Sequence, residues 1–574
     1  MALSGILWTS TAGLQAVQQQ LQWRTDNISN AQNPSYARRD AVTTSTGANS
    51  VEVDVARAND SGLQDQFLTS NSQSSFTTAQ LGYFQRVGDV LGTSQSTPFL
   101  QQSIDNFTGA WKSFETDTSS TTSEANVIAT GQALGQTISS AAANLDKVEN
   151  EVRDDVGNNI TSLNAKLVQL EKINKQLSSE PLATSLNPSL FDTRDSLVRD
   201  ISASVGVVRI THSDNSVALY TNGGVALIDH GANQFQWNNP AGTEPWISLV
   251  NTTGVLAPSP SLNVEFTGGK IGAGLSALSA NTTALASADP KVGTIAKARA
   301  QLDNLAVQLA GQEPNTFGGA YYNSSPDRTT DLMGGIVNNS TVTASNVAPL
   351  QSGNPLYWGG DFSTNVGDLV VAASANGSGV NPIVTPTEPE NGAAVVLPPQ
   401  NNNVTPQPAG AIWIQPGNWD GTPLTSFFTI DNGTPGPPPT MPSLSPSGSF
   451  AINANLVNGT STVKRQSATA VVAELTNTSR SMIAGGINST NLSYSGLGST
   501  IANYHSAGQA AVADDNTRYT QATQTFDTRL NSVVGVNMDT EMAQLTVLQN
   551  AYAANARVIS AVQQMFDTLM AIGK

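Results

Sequence analysis

Residues 538–569 read MDTEMAQLTVLQNAYAANARVISAVQQMFDTL, and the spacing within them decides the architecture. Met538, Leu545, Tyr552, Ile559 and Phe566 stand seven apart; Leu548, Val562 and Leu569 fill complementary seam positions, and Asn555 takes a further one. A seven-residue repeat lays one narrow apolar stripe along a helix, the seam of a coiled coil. A lone seam Asn costs stability but fixes register and strand number. Asn537 stands at the cap position, and Asp539 and Glu541 fall in the first turn, where carboxylates face the positive end of the helix dipole.

The opposite end mirrors this. Residues 2–40 read ALSGILWTSTAGLQAVQQQLQWRTDNISNAQNPSYARRD; Leu7, Leu14, Leu21 and Ile28 again stand seven apart, with Leu3 and Val17 beside them. Pro34 predicts a helix end shortly before it. Neither stripe can be buried by its own helix. Two readings stay open: a helical hairpin within one chain, or helices that pair with each other and with neighbouring subunits.

Inward from the ends, Val156, Ile160, Leu163, Leu167, Leu170 and Leu177 predict a long helix. Shorter helical patterns cover Phe67–Leu91, Phe99–Phe114, Asn126–Leu145, Val292–Leu309, Lys464–Ile483 and Asp514–Leu530. From about Ser202 the period becomes two. Strands are expected at Val205–Ile210, Ser216–Tyr220, Val225–Ile228, Phe235, Trp246–Val250 and Leu262–Phe266, with Asn222-Gly223 as a hairpin turn. Between Arg328 and Lys464 there is no Lys or Arg, and prolines cluster. Strand-like pieces such as Ala411–Ile414 and Phe427–Ile430 favour a folded, β-rich insertion over a linker.

The expected fold is therefore α+β and multidomain: discontinuous helical domains from both termini, with inserted β-rich domains. Residues 1–60 and 505–574 form a terminal coiled-coil domain. Residues 61–200, 285–336 and 464–504 form a helical domain. Residues 201–284 form a small β domain, and 337–463 an outer insertion.

Composition narrows the function. A chain of 574 residues exceeds one core. The net charge of −17 argues against nucleic acid, which needs a basic stripe, and against anionic membranes. With 0 cysteines, disulfides and thiolate sites are excluded. The beginning lacks the basic and apolar regions of a Sec leader, and no run of about 20 apolar residues predicts a membrane span. His212 has Asp214 nearby and His230 has Asp229, but a solvated surface is the reading for both, and no HExxH, CxxC or EF-hand pattern occurs. Residues 272–277, GAGLSA, match a dinucleotide fingerprint variant, yet Asp289 precedes Pro290 and no βαβ unit develops. They read as a loop entering a helix. No cofactor, metal or catalytic residue is expected.

Asn27-Ile28-Ser29-Asn30 with Asn33-Pro34-Ser35-Tyr36-Ala37-Arg38 resembles the start of flagellar axial proteins, which usually carry Gly where Ser35 stands. Residues 535–569 resemble their C-terminal motif through Val536-Asn537, Glu541, Gln549, Tyr552, Ala556-Arg557 and Val558. Leu190–Val198 (LFDTRDSLV), followed by Val205-Gly206-Val207, is similar to a stretch of the hook-associated protein 1 (FlgK) family. The resemblance implies a structural adaptor in a ring joining hook to filament, secreted to the flagellum by flagellar type III export. The implied partners are further copies of the chain, the hook protein, hook-associated protein 3 and an export chaperone at the C-terminal helix. The assembly interface would comprise Leu7, Leu14, Leu21, Ile28, Met538, Leu545, Leu548, Tyr552, Asn555, Ile559, Val562, Phe566 and Leu569. The terminal helices would be largely disordered until they join. The alternatives are another hook or rod protein, or a secreted adhesin.

Overall fold

The computed structural model describes residues 2–47, 50–93, 98–179, 187–239, 245–250, 261–309, 355–358, 369–372, 383–384, 395–396, 427–430, 447–448, 450–459, 462–463, 465 and 468–572. Expectations for Ala411–Ile414 fall outside these. The chain divides into two compact units, Met1–Leu81, Arg153–Leu275 and Val512–Lys574, and Gly82–Val152 and Ser276–Ala511.

In the first unit, α1 (Ala2–Ser29) stops five residues before Pro34, and an antiparallel pair follows, β1 (Arg39–Gly47) and β2 (Ser50–Arg57). Helix α2 spans Ser61–Leu91, α3 Phe99–Thr116, α4 Thr121–Ser179 and α5 Pro188–Ser204. The first unit takes α2 to Leu81, α4 from Arg153, and α5. The predicted stripe of α4 is buried throughout, from Val156 to Leu177. Strands β3 (Val207–Thr211), β4 (Val217–Thr221) and β5 (Ala226–Ile228) form one antiparallel sheet in that order, and β6 (Gln234–Asn238) pairs with β7 (Trp246–Val250).

Two asparagines on α4 attach these sheets by a shared device. Asn174 Nδ2 donates to Val217 O at 2.8 Å while its Oδ1 accepts from Val217 N at 3.1 Å. Asn164 treats Phe235 the same way, at 2.7 and 2.9 Å. Each amide acts as one more strand partner and satisfies a buried N–H and C=O together.

The expected strand at Leu262–Phe266 is a turn. Leu262 N donates to Ile247 O, and Asn263 binds Ile247 N and Pro245 O through its side chain. A side chain supplies the bonds that a ladder would have given.

In the second unit, α3 presents Leu100, Ile104, Phe107, Trp111 and Phe114 from one buried face. Helix α6 (Gly269–Leu278) belongs to the first unit up to Leu275; α7 (Thr282–Ala286) and α8 (Thr294–Leu309) follow in the second. Strand pairs β8 (Pro355–Trp358) with β9 (Leu369–Ala372), β10 (Ile383–Val384) with β11 (Val395–Val396), and β12 (Phe428–Ile430) with β13 (Phe450–Ile452) are all antiparallel. Phe107 and Trp111 meet Phe427 at 5.4 and 5.9 Å, and Phe428 stacks on Phe450 at 4.7 Å. Edge-to-face and tilted ring contacts of this kind add to the burial itself.

After α9 (Ala454–Val457), helix α10 covers Ala468–Thr476 and not the whole of Lys464–Ile483. Asn477 Oδ1 accepts from Ser479 N to turn the chain, and β14 (Arg480–Ala484) pairs with β15 (Ile487–Leu492) through Gly485 and Gly486, at φ of 53° and 79°. Those angles favour glycine. Helix α11 (Tyr494–Val534) leads to α12 (Met538–Ile572).

Candidate assembly site

Helices α1 and α12 of the first unit lie side by side. Gly13 faces Asn555, whose Nδ2 is 3.4 Å from where a Gly13 Cβ would stand, while Arg24 and Asn27 face Glu541. Those pairings run in opposite directions along the two helices, so the pair is antiparallel. Val17, Ala16 and Val562 are buried. Leu7, Leu14, Leu21, Ile28, Leu545, Leu548, Asn555, Ile559 and Phe566 are half-buried, and Met538 and Tyr552 are exposed. The side chain of Leu569 lies outside the described residues. The structure thus brings both predicted stripes to one seam and leaves the seam incompletely covered.

The apolar surface extends beyond the seam. Met542, Val547, Val558, Met565 and Met570 on α12, and Trp8 on α1, are exposed. At 100° per residue, Val547, Val558 and Met565 share one flank of α12. Met538, Met542 and Tyr552 lie on the opposite flank.

At the base of the pair lies a polar network that joins the three sequence motifs. Glu541 is 1% exposed, and its carboxylate accepts from Arg24 Nη1 at 3.0 and 3.1 Å and from Asn27 Nδ2 at 3.2 Å. Asn27, wholly buried, repeats the device seen on α4: Nδ2 donates to Arg39 O at 2.9 Å, and Oδ1 accepts from Arg39 N at 3.0 Å and from Tyr36 Oη at 2.8 Å. Burial pushes the Tyr36 hydroxyl well above its ordinary range, so it is protonated and donates.

Beyond Asn27 the network enters α5. Asp192 accepts from Arg57 Nε at 2.9 Å, from Ala37 N at 3.3 Å and from Arg39 Nη2 at 3.4 Å. Asp195 pairs with Arg57 and Arg194. Burial alone would raise the Asp195 carboxyl, but Arg194 and Arg57 outweigh it and hold the group below the usual carboxylate range. Arg38 N donates to Val534 O at 2.7 Å, tying the end of α11 to the same loop. At Ser35, Asn33 Oδ1 accepts from Ser35 N at 3.1 Å. Among described non-glycine residues only Asn215 and Asn491 have positive φ, so this turn does not need the glycine usual there.

Sequence reading placed Glu541 as a dipole partner and missed its burial. The signal was present: Glu541 stands seven before Leu548, and Arg24 seven after Val17, so both occupy seam positions. The histidines were read apart. The structure brings His212 and His230 together on Asp229, at 3.4 and 3.2 Å, on an exposed edge of the β3–β5 sheet. Among the described residues, no group of three His, Asp or Glu is arranged to hold a metal ion, and no helix is long and apolar enough to cross a membrane.

Comparison with known proteins agrees with this placement. The family model described as "Flagellar hook-associated protein FlgK helical domain" matches residues 84–316, and "Flagellar basal body rod FlgEFG protein C-terminal" matches 531–572. Flagellar hook-associated protein 1 of Escherichia coli (strain K12) is 23% identical over 605 residues, covering 99% of this chain and 100% of that protein. Flagellar hook-associated protein 1 of Bacillus subtilis (strain 168) is 21% identical over 39% of this chain; the match spans 47%, about half, of that protein's length. The flagellar hook junction protein FlgK from Burkholderia pseudomallei has a solved structure similar at a TM-score of 0.48 and 14% identity, covering 82% of this chain and 100% of that one. The family matches and the end-to-end relative support the FlgK family of flagellar hook-associated proteins for this chain, with a structural role at the junction between hook and filament.

Proposed function

We propose that the chain performs this adaptor role by assembling with further copies of itself into a ring, with the α1/α12 pair as the module that packs against neighbouring subunits. One observation carries the reading. The seam is only half covered within one chain, and α12 adds exposed apolar residues on both flanks. Exposed contiguous apolar surface of this kind marks an interaction site. Burial by a neighbouring subunit would contribute roughly 1.5–3 kcal/mol for each large side chain fully covered. The role is mechanical, not catalytic.

In this reading the ring meets the hook protein on one side and hook-associated protein 3 on the other. The chain travels unfolded by flagellar type III export, helped by having 0 cysteines and hence no cross-links. An export chaperone covers α12 until then. The pair orders fully on joining the ring. Residues 337–463 serve as an outer insertion that assembly does not need.

Leu548→Asp tests the reading. A charge in the half-buried seam is expected to abolish incorporation while the second unit keeps its unfolding transition. Electron microscopy of cells carrying only the variant should show hooks without filaments, with flagellin shed into the medium. Normal filaments would refute the terminal pair as the assembly module.

A further inference from the structure

Heptad stripes fix which faces of two helices meet, but not how far along they meet. Sliding α12 by seven residues against α1 returns apolar residues to apolar positions, a displacement of about 10 Å. Asn555, expected from the sequence to fix the register, faces Gly13, which offers it no side chain, so another group must choose among these registers.

The covalent connection chooses only in part. Residues Gly535–Asn537 link α11 to α12, and Val534 packs in a buried cluster with Ala37 and Leu530. A slide that drew Val534 toward the place of Glu541 would tear this cluster apart. The opposite slide would fray only the first two turns of α12. In those turns Met538, Asp539, Thr540, Met542, Ala543 and Gln544 are all exposed, so little burial resists it. Leu548 would then face Asn27, and Val562 would face Gly13. Only Glu541 is buried there, and only it is held by side chains of α1.

We infer that Glu541 is the positioning residue that sets the axial register of the terminal helix pair, with Arg24 and Asn27 as its receiving groups. A charge-assisted bond in a buried seam position has one correct partner, whereas a leucine accepts any apolar neighbour. In the slid register Arg24, part-buried and also bonded to Asp40 Oδ1 at 3.3 Å, and Asn27, also bonded to Arg39 O, would each lose the Glu541 acceptor and meet Leu548, which offers none. Because Asn27 is itself bonded to Arg39 and Tyr36, the mark on α12 is read by a part of the chain already locked into β1. The inference builds on the pair as the assembly module, since register sets which apolar residues a neighbour meets.

A chain with 0 native cysteines allows a direct test by oxidative cross-linking of the purified full-length protein. Gly13→Cys with Asn555→Cys reports the observed register, and Gly13→Cys with Val562→Cys reports the slid one. Against these backgrounds Glu541→Ala should raise the ratio of slid to observed product about tenfold or more. Adding Leu548→Glu moves the mark by seven residues and should raise the ratio further. Glu541→Gln keeps an acceptor oxygen and should stay near the parent ratio. An unchanged ratio in both Glu541→Ala and the Leu548→Glu combination would overturn the inference. So would loss of both products along with the terminal helical signal in circular dichroism, which would make Glu541 a stabiliser only. The readout needs no ring, so failure of the Leu548→Asp assembly test would leave it intact.

Discussion

Helix α3 in the second unit and α12 in the first use the same helical steps of three and four, yet their apolar faces end differently. Phe107, Trp111 and Phe114 are completely buried, closed over by Phe427, Phe428 and Phe450. On α12, Tyr552 is 37% and Val547 66% exposed. The first face has met its partners from within the chain; the second has met only one helix. Apolar periodicity announces that a face will be buried, but not whether the same chain supplies what buries it.

The comparison can be strained hardest at Trp111. Replacing it with Ala empties the centre of a closed aromatic cluster and should cost the second unit about 3–5 kcal/mol. Urea unfolding, followed by probes specific to each unit, would read this as a lowered midpoint in one transition only. A loss below about 1 kcal/mol would mean that the rings close over the gap.

A second test uses acid. His505 is 1% exposed, its Nε2 is 2.9 Å from Gln301 Oε1, and its Nδ1 has no hydrogen-bond partner. Burial first, and the Lys297 ammonium second, push its pKa down to about 3. Tyr504 beside it is pushed up to about 12 by burial and then by Asp289. Lys297, wholly buried, donates to Asp289 O. In the unfolded chain the imidazole takes a proton near pH 6.5, whereas in the folded unit it stays neutral down to about pH 3. The unfolded state therefore binds more protons across that window, and stability falls with pH. The loss should reach about 3 kcal/mol by pH 4.5. His505→Gln should flatten this slope in the second unit. An unaltered pH profile would show that His505 is protonated in the folded state.

The smallest stability effect is expected on the open flank of α12. Val558→Ser should change the stability of the isolated chain by less than about 0.5 kcal/mol. The same change should slow ring assembly, measured as growth of filaments from the variant in cells. A normal assembly rate would take that flank out of the interface and leave the seam as the contact.

Much of the architecture was legible because it depends on local patterns. The stripe of α4, the ends of α1 at Pro34 and of α12 at Asn537, and the turn at Asn222-Gly223 need only neighbouring residues to be read. The β1–β2 pair was missed at β1, where Thr43, Thr44 and Ser45 give no apolar alternation, although its partner β2 alternates Val51, Val53 and Val55 with Glu52 and Asp54. Met482 and Ile483 were read into a helix although Gly485-Gly486, a hairpin signal, follows them in the sequence; the positive φ of both glycines makes the reversal. At the assembly site the apolar stripes were readable, whereas the network was not. Glu541 and Asn27 are separated by more than five hundred residues, and sequence spacing carries no information about a partner that far away.

The three asparagines that pair with strand backbones have a consequence for the chemical ageing of a flagellar part. Asn27, Asn164 and Asn174 each turn an N–H toward a carbonyl, so conversion to Asp would leave an oxygen facing an oxygen. Deamidation begins when the following backbone nitrogen attacks the side-chain amide. That path is easy at Asn222-Gly223 and Asn458-Gly459, where glycine follows. The three bridging residues instead lie within helices and precede Ile28, Ala165 and Lys175. There the attacking nitrogen is held in the helical backbone. The residues that could least tolerate this slow reaction stand where the chain is least able to start it.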